Sequence, residues 1–362
     1  MQESILNEWR ILNSLVFFAI TSNSYLLIMR KLLQYLFKRP LTWVGNTLSA
    51  KPEKEAVFKS LTRLYNSSKK NSKRVCSIFI DASKDRFIVF SDQHKGNRDY
   101  ADDFTHNEFN YLKALEYYRQ KKFSFINLGD SEELLKYNAE EVLPKNEKAF
   151  AAEAAFQPNN YYKTFGNHDI LWKNKWDAER LLKKYFALPL PVYEGIILKA
   201  VIKDTLLTIF CTHGHQGDKM SDNNAFSTWV VAHIWAPVQR YLRININTPS
   251  KDFSLRNKHN KIMYEWSSNR KNTLLITGHT HKPVFASGKY SGHPSNNIEN
   301  EVAEKLRPSY FNTGCCCFND GDITGIEIEG GYIRLIKWQN KNHIAVRKIL
   351  EEIKLEDLLK DL

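Results

Sequence analysis

The sequence predicts an α/β fold organised around one edge of a sheet, and three observations carry that expectation. Short apolar runs alternate with helical patterns through the first half of the 362 residues, and these runs end in polar side chains able to bind a metal. The second half changes to paired, alternating strands. The governing stretch is Arg86-Phe87-Ile88-Val89-Phe90-Ser91-Asp92-Gln93-His94. Phe87 to Phe90 is apolar between charged flanks, as expected of a central strand covered on both faces. Asp92 and His94 follow its carboxyl end. Separated by one residue, in extended geometry, they point to the same side and can meet a single cation.

Ahead of that strand the chain reads as an N-terminal arm and linker, 1–74. The apolar run 11–20 is interrupted by Asn13 and Ser14 and then broken by Thr21-Ser22-Asn23-Ser24, short of the roughly 18 residues a membrane span needs. Glu3 and Glu8 stand where a secretory signal carries positive charge. Basic and apolar residues alternate at helical spacing over 29–39, ended by Pro40. Such a helix either lies on an anionic membrane surface or packs its Leu face on the domain. Met29 is an alternative start, which would make 1–28 an upstream extension. A second helix is expected over 51–64, with Val57, Leu61 and Leu64 on one side, followed by a basic linker to residue 74.

The main domain, 75–338, opens with a strand at Val75–Ile80. After Asp92 and His94 the pattern predicts a helix over 102–121, with Phe104, Phe109, Leu112, Leu115 and Tyr118 on its apolar side. A strand over 123–128 follows, ending in Gly129-Asp130, then helices over 131–142 and 147–156. A strand over 160–165 ends in Gly166-Asn167-His168-Asp169. Next come two antiparallel strands, 196–202 and 206–211, the second ending in Thr212-His213-Gly214-His215. Residues 216–272 read as a helical insertion, its apolar segment 229–242 being either a cap over the site or a core helix broken by Pro237. The strand 274–277 ends in Gly278-His279-Thr280-His281. A terminal antiparallel meander at 310–314, 323–328 and 332–338 precedes a C-terminal tail, 339–362, whose stretch from 344 reads as a charge-laced helix or a frayed end.

Lys and Arg exceed Asp and Glu by 52 to 40, a net charge of +12. This balance suits polyanions, anionic lipid or phosphorylated substrates without choosing among them. Five cysteines, three of them consecutive at Cys315, Cys316 and Cys317, lack both a disulfide framework and a CxxC metal spacing. The triplet reads as a small-residue strand end in a reducing compartment.

Five strand ends thus carry, in order, Asp-x-His, Gly-Asp, Gly-Asn-His-Asp, His-Gly-His and Gly-His-x-His. Carboxylate, amide oxygen and imidazole together suit manganese, iron or zinc, and glycine lets a loop press close to an ion. The ordered set resembles the calcineurin-like metallophosphoesterase superfamily over the whole of 75–338. That resemblance implies a four-layer αββα sandwich and two divalent cations, manganese foremost. Asp92, His94, Asp130 and His281 would hold the first; Asp130, Asn167, His213 and His279 the second, with Asp130 bridging. It further implies hydrolysis of a phosphomonoester, phosphodiester or pyrophosphate by a metal-activated hydroxide. His168 would be catalytic and Asp169 would orient its ring. His213 follows its strand directly and is preferred to His215 as ligand. His215, Asn97 and Arg98, with Lys95 beside them, are candidates for gripping substrate.

The match has departures. Glu133 stands where the family's second motif ends in Asp, the Asp-Arg-Gly continuation of serine/threonine protein phosphatases is missing, and the third motif ends in Asp169 where those enzymes carry Glu. The Gly-Asp-x-x-Glu form and Gly278-His279-Thr280-His281-Lys282-Pro283 look more like the UDP-2,3-diacylglucosamine pyrophosphohydrolases, which act on a lipid-linked substrate at the inner membrane face. Those enzymes carry Arg where this chain has His168. The expectation is accordingly a cytoplasmic protein, peripheral at that face if the basic helix binds lipid. A nuclease is favoured by charge alone, since the aromatic and basic pattern of a single-strand groove is not evident. A non-catalytic binding module is disfavoured by the complete ligand set with His168.

Overall fold

The structure, a computed structural model, describes Lys31 and residues 52–70, 73–217, 253–286 and 307–362. Most of the basic stretch 29–39 and the 229–242 segment expected as a cap lie outside the described residues.

Two sheets stack face to face. One has five strands in the order β1 (Val75–Ile80), β6 (Gly195–Ile202), β7 (Thr205–Thr212), β8 (Thr273–Thr277) and β9 (Tyr310–Asn312). The other has seven: β12 (Ile344–Lys354), β11 (Tyr332–Lys341), β10 (Ile323–Glu329), β2 (Phe87–Phe90), β3 (Ser124–Leu128), β4 (Tyr161–Thr164) and β5 (Val192–Tyr193). Side chains alternate between faces along each strand, and this alternation builds the layers. Phe87, Val89, Ile126 and Leu128 meet Ile196, Leu198, Ile209 and Ile276 between the sheets. On the opposite side Ile88, Phe90 and Phe125 pack under helices α2 (Glu108–Gln120), α3 (Ala139–Lys145), α4 (Glu147–Ala154) and α5 (Lys175–Leu182). Ile197, Phe210 and Leu275 face outward from the smaller sheet against α1 (Lys54–Ser67) and α6 (Phe253–Ser268). The result is the αββα sandwich.

Register explains why one edge carries the site. β2, β3 and β4 run parallel, Phe87 opposite Ser124 and Phe125 opposite Tyr161, so their carboxyl ends emerge together. β7 and β8 are also parallel, Thr208 opposite Thr273. The antiparallel pairing of β6 with β7 around Asp204 follows the sequence pattern.

Five local differences from the sequence reading have physical causes. Tyr310–Asn312 is not part of the terminal meander: Leu275 lies opposite Tyr310, so β9 runs parallel to β8 at the edge of the smaller sheet. Residues 131–138 are not helical: Glu132 forms a parallel bridge with Lys95, and α3 begins only at Ala139. α2 starts at Glu108, leaving Phe104 buried ahead of it; it buries Tyr111, Ala114, Leu115 and Tyr118, while Phe109 is exposed. Residues Ile344–Lys354 form a strand, not a helix, paired antiparallel along β11 with a bulge at Leu335 and Ile336. Only Leu355–Asp361, helix α7, is helical in that tail. α1, assigned by sequence to the arm, buries Val57, Leu61 and Leu64 beside Met263 and Trp266 of α6, in the outer layer of the sandwich.

Candidate metal centre

The ends of β2, β3, β4, β7 and β8 bring the motif residues together. Asp92, Asp130 and His213 are almost wholly buried, His94 and Asn167 nearly so, and His279 and His281 are partly exposed. Asp92 and His94 are not extended as the sequence reading assumed. Asp92, His94, Asp130, His279 and His281 all take positive φ, between 51° and 67°. That region is uncommon for residues with a Cβ and costs of the order of 1–3 kcal/mol each, so the fold holds these side chains against a local preference. Glycine is required beside them: a methyl group on Gly166 would land on Asp130 Oδ1, and one on Gly278 would land on Ser91 and Asp92.

Among the described residues, three sets place ligand atoms within 4.8 Å of one another: Asp130 with His213 and His279, His94 with Asp130 and His168, and His94 with His281 and Cys317. Around the first of the two expected groups, that of Asp92, His94, Asp130 and His281, His94 Nε2 lies 3.8 Å from both Asp92 Oδ1 and Asp130 Oδ2, and 3.1 Å from His281 Nε2. His281 Nε2 is 3.1 Å from Asp92 Oδ1. On the other side His213 Nε2 is 3.1 Å from Asp130 Oδ2. One oxygen of Asp130 therefore faces both groups, while its Oδ1 accepts the backbone N–H of His168 at 2.8 Å.

The hydrogen bonds behind the histidines assign their free nitrogens. His213 Nδ1 donates to the Leu128 carbonyl at 3.0 Å, which can only accept, so its lone pair is on Nε2. His94 Nδ1 donates to Glu133 Oε2 at 3.2 Å, and its lone pair is likewise on Nε2. The Nε2 of His213 and the Oδ1 of Asn167 are buried and have no hydrogen-bond partner among the described residues. A buried imidazole nitrogen 3.1 Å from a carboxylate oxygen, its other nitrogen tied to a carbonyl, fits a cation held between the two. The titration behaviour agrees. Burial disfavours charge on Asp92 and Asp130, but histidines, His281 and His213 for Asp92 and His213 and His168 for Asp130, hold both carboxyls well below the usual range. Burial likewise opposes charge on His213, yet Asp130 and Asp92 lift it to about 9. The shifts arise because carboxylates and imidazoles crowd one buried cluster, where a cation would also balance the carboxylate charge.

His168 is partly exposed, its ring 4.5 Å from that of His94. Its Nδ1 donates to Glu133 Oε1 at 2.7 Å, leaving Nε2 free. The expected contact with Asp169 is not made. Asp169 is buried and accepts three backbone N–H groups, from Gly166 at 2.6 Å, Ser131 at 2.8 Å and Asp130 at 3.2 Å. It thereby ties the second and third motifs together, and Glu133, which the sequence reading noted only as a departure, orients His168.

The candidate substrate groups fare differently. Lys95 is fully buried and pairs with Glu153 and, at 3.1 Å, Glu132. Arg98 is held by Glu108 at 2.5 Å and the Lys145 carbonyl at 3.2 Å, which ties it to α2 and α3. Asn97 donates to Glu141 at 3.5 Å. His215 is buried with its ring 5.5 Å from that of His213; burial and His213 lower its pKa to about 3, so it is a neutral wall of the second group. The structure adds two residues that no motif pointed to. His259, on α6, is buried with its ring 5.2 Å from that of His279, and Cys317 Sγ lies 3.6 Å from His281 Nδ1. Both come from distant parts of the chain, and neither carried a spacing signal.

No curated protein matches the chain. Similar solved structures include Vacuolar Protein Sorting 29 from Cryptosporidium parvum, at 13% identity over 75% of this chain and 98% of that one, with a TM-score of 0.33. A dimetal phosphatase from Danio rerio matches at 8% identity over 74% and 99%, TM-score 0.36. GAP50, the anchor in the inner membrane complex of Plasmodium, matches at 10% identity over 75% and 88%, TM-score 0.37. At such scores these likenesses say nothing of what this chain does. The family model for calcineurin-like phosphoesterases covers residues 85–283, more than half of the chain, and the protein belongs to that family.

Proposed function

We propose that this protein is a dinuclear metal-dependent phosphoesterase, with Asp92, His94, Asp130 and His281 around one cation and Asp130, Asn167, His213 and His279 around the other. The observation that carries the reading is His213 Nε2, buried and without a hydrogen-bond partner among the described residues, 3.1 Å from the oxygen of Asp130 that also lies 3.8 Å from His94 Nε2. When bound, two such cations polarise phosphoryl oxygens and acidify water. The chain supplies the rest. His168 presents Nε2 at the mouth of the site and gives a proton to the leaving oxygen or binds the phosphoryl group, while Glu133 holds its ring. Asp169 fixes the backbone on which Asp130 and Asn167 sit. Manganese, iron and zinc all suit the donor set. The substrate is a phosphorylated small or lipid-linked molecule, and the Gly-Asp-x-x-Glu motif is the feature that supports a nucleotide-lipid pyrophosphate.

The test is hydrolysis of bis-p-nitrophenyl phosphate, p-nitrophenyl phosphate and UDP-2,3-diacylglucosamine by metal-stripped protein refilled with manganese. Activity should depend on metal, vanish in Asp130→Asn, and fall about 100- to 10,000-fold in His168→Ala. Binding of two cations with no hydrolysis of any of the three would favour a binding module over an enzyme.

A further inference from the structure

The Cys317 sulfur lies in the first ligand group although no motif calls for it. Cys317 is buried at the turn after β9, and its Sγ is 3.6 Å from His281 Nδ1, within range of a hydrogen bond to sulfur. Each neighbouring ligand histidine whose Nδ1 contact is known uses it in the same way: His94 donates to a carboxylate and His213 to a backbone carbonyl. In each case the other nitrogen is left to face the carboxylates. His281 repeats this geometry, since its Nε2 points at Asp92 Oδ1 and His94 Nε2, both 3.1 Å away. The backbone fixes where the sulfur sits: Cys316 N–H donates to the Asp92 carbonyl at 3.1 Å, so the cysteine turn is anchored to the strand end that carries the first ligand. Cys316 itself turns into the core under the helices.

We propose that Cys317 is a positioning residue of the first cation, accepting the Nδ1–H of His281 through sulfur and so fixing Nε2 as the metal-binding atom. The assignment rests on the two-cation reading above. A sulfur in this place is a weak, polarisable acceptor where the other two histidines have oxygen. Partners behind a ligating imidazole set its tautomer and basicity, and their loss typically costs about 10- to 100-fold in metal affinity.

The experiment is chelator competition on the full chain with manganese and with zinc, resolving the two binding steps, for the natural protein and three variants. Cys317→Ala removes the acceptor, Cys317→Ser restores one as a hydroxyl, and Cys316→Ala deletes the same volume from the neighbouring core position. Nitrogen-15 NMR of the His281 ring reports its tautomer. Support is a 10- to 100-fold loss at one of the two steps in Cys317→Ala, recovery in Cys317→Ser, no loss in Cys316→Ala, and a protonated Nδ1 on His281 in the natural protein. Two intact binding steps in Cys317→Ala overturn the proposal and leave the two-cation reading standing. An equal loss in Cys316→Ala, or failure of the serine to restore affinity, overturns it in favour of simple packing. Absence of any cation binding in the natural protein brings down both.

Discussion

Glu133 joins two histidines with one carboxylate, and this division of labour is the most consequential feature at the residue scale. Its Oε2 takes the Nδ1–H of His94 and its Oε1 that of His168, while Lys136 Nζ stands 3.3 Å from Oε2. Burial opposes its charge, but His168 and Lys136 hold the carboxyl well below the usual range. In Glu133→Gln one of the two imidazoles faces an amide N–H instead of an oxygen. Turnover and metal affinity should both fall by about 10- to 100-fold, read by steady-state kinetics and metal content. Asp169→Asn should behave otherwise, because Asp169 accepts from backbone amides and does not touch His168. An amide there turns a donor toward a donor, and the expected cost is about 1–3 kcal/mol in urea unfolding. A stable Asp169→Asn protein with a displaced pH profile would restore Asp169 to the orienting role and remove Glu133 from it.

At the scale of elements, what the sequence made legible was what depends on short stretches. Phe87–Phe90 and Val75–Ile80 appear where their apolar runs lie, because a strand buried on one or both faces needs only its own residues to declare it. The motif residues that the fold brings together were legible for the same reason, each being a two- to four-residue signal at a strand end. What was hidden depends on partners far along the chain. Glu132, Glu133 and Lys136 look like the charged face of a helix, yet all three are buried, and their partners include Lys95, Lys163, His168 and Asp103. β12 carries its charges mostly in adjacent pairs, Arg347-Lys348 and Glu351-Glu352, at the edge of its sheet, and its bulged pairing with β11 is what distinguishes it from a charge-laced helix. α1 was legible as a helix but not as a layer, since nothing local names Phe210 and Trp266 as its neighbours. That packing makes Leu61, fully buried between α1 and the smaller sheet, a sensitive position. Leu61→Ala should cost about 2–5 kcal/mol in urea unfolding. A cost below about 0.5 kcal/mol, the range of an ordinary surface substitution, would mean that α1 is an appendage rather than a wall.

Across the whole molecule, the helical layer and the site are joined by a buried cluster of charges beneath the strand ends. Lys95 and Lys163 meet Glu132 at 3.1 and 3.0 Å, Lys95 also meets Glu153, and all four are inaccessible to solvent. Tyr111 and Tyr161 donate to Glu153 at 3.0 and 2.7 Å, and Trp172 Nε1 donates to Glu132 at 2.6 Å. Two cations and two carboxylates balance, which is the condition under which buried charge is tolerated. The cluster reaches the site through the backbone: Lys95 adjoins His94, Glu132 adjoins Glu133, and the Glu133 N–H donates to the Lys95 carbonyl at 3.0 Å. Its stability should therefore follow pH with a definite sign. Burial raises the pKa of Glu132, but Lys163 and Lys95 outweigh it and bring it to about 2. The unfolded value is about 4.3, so the group's stabilising contribution is complete above that pH and is lost as the pH falls through the lower folded value. Stability measured by urea at successive pH values should fall through this window in the natural protein. Glu132→Gln should start about 3–5 kcal/mol less stable, with two lysines left to one carboxylate, and should lose less on further acidification. Parallel curves for the two proteins would show that Glu132 is not the group the acid titrates.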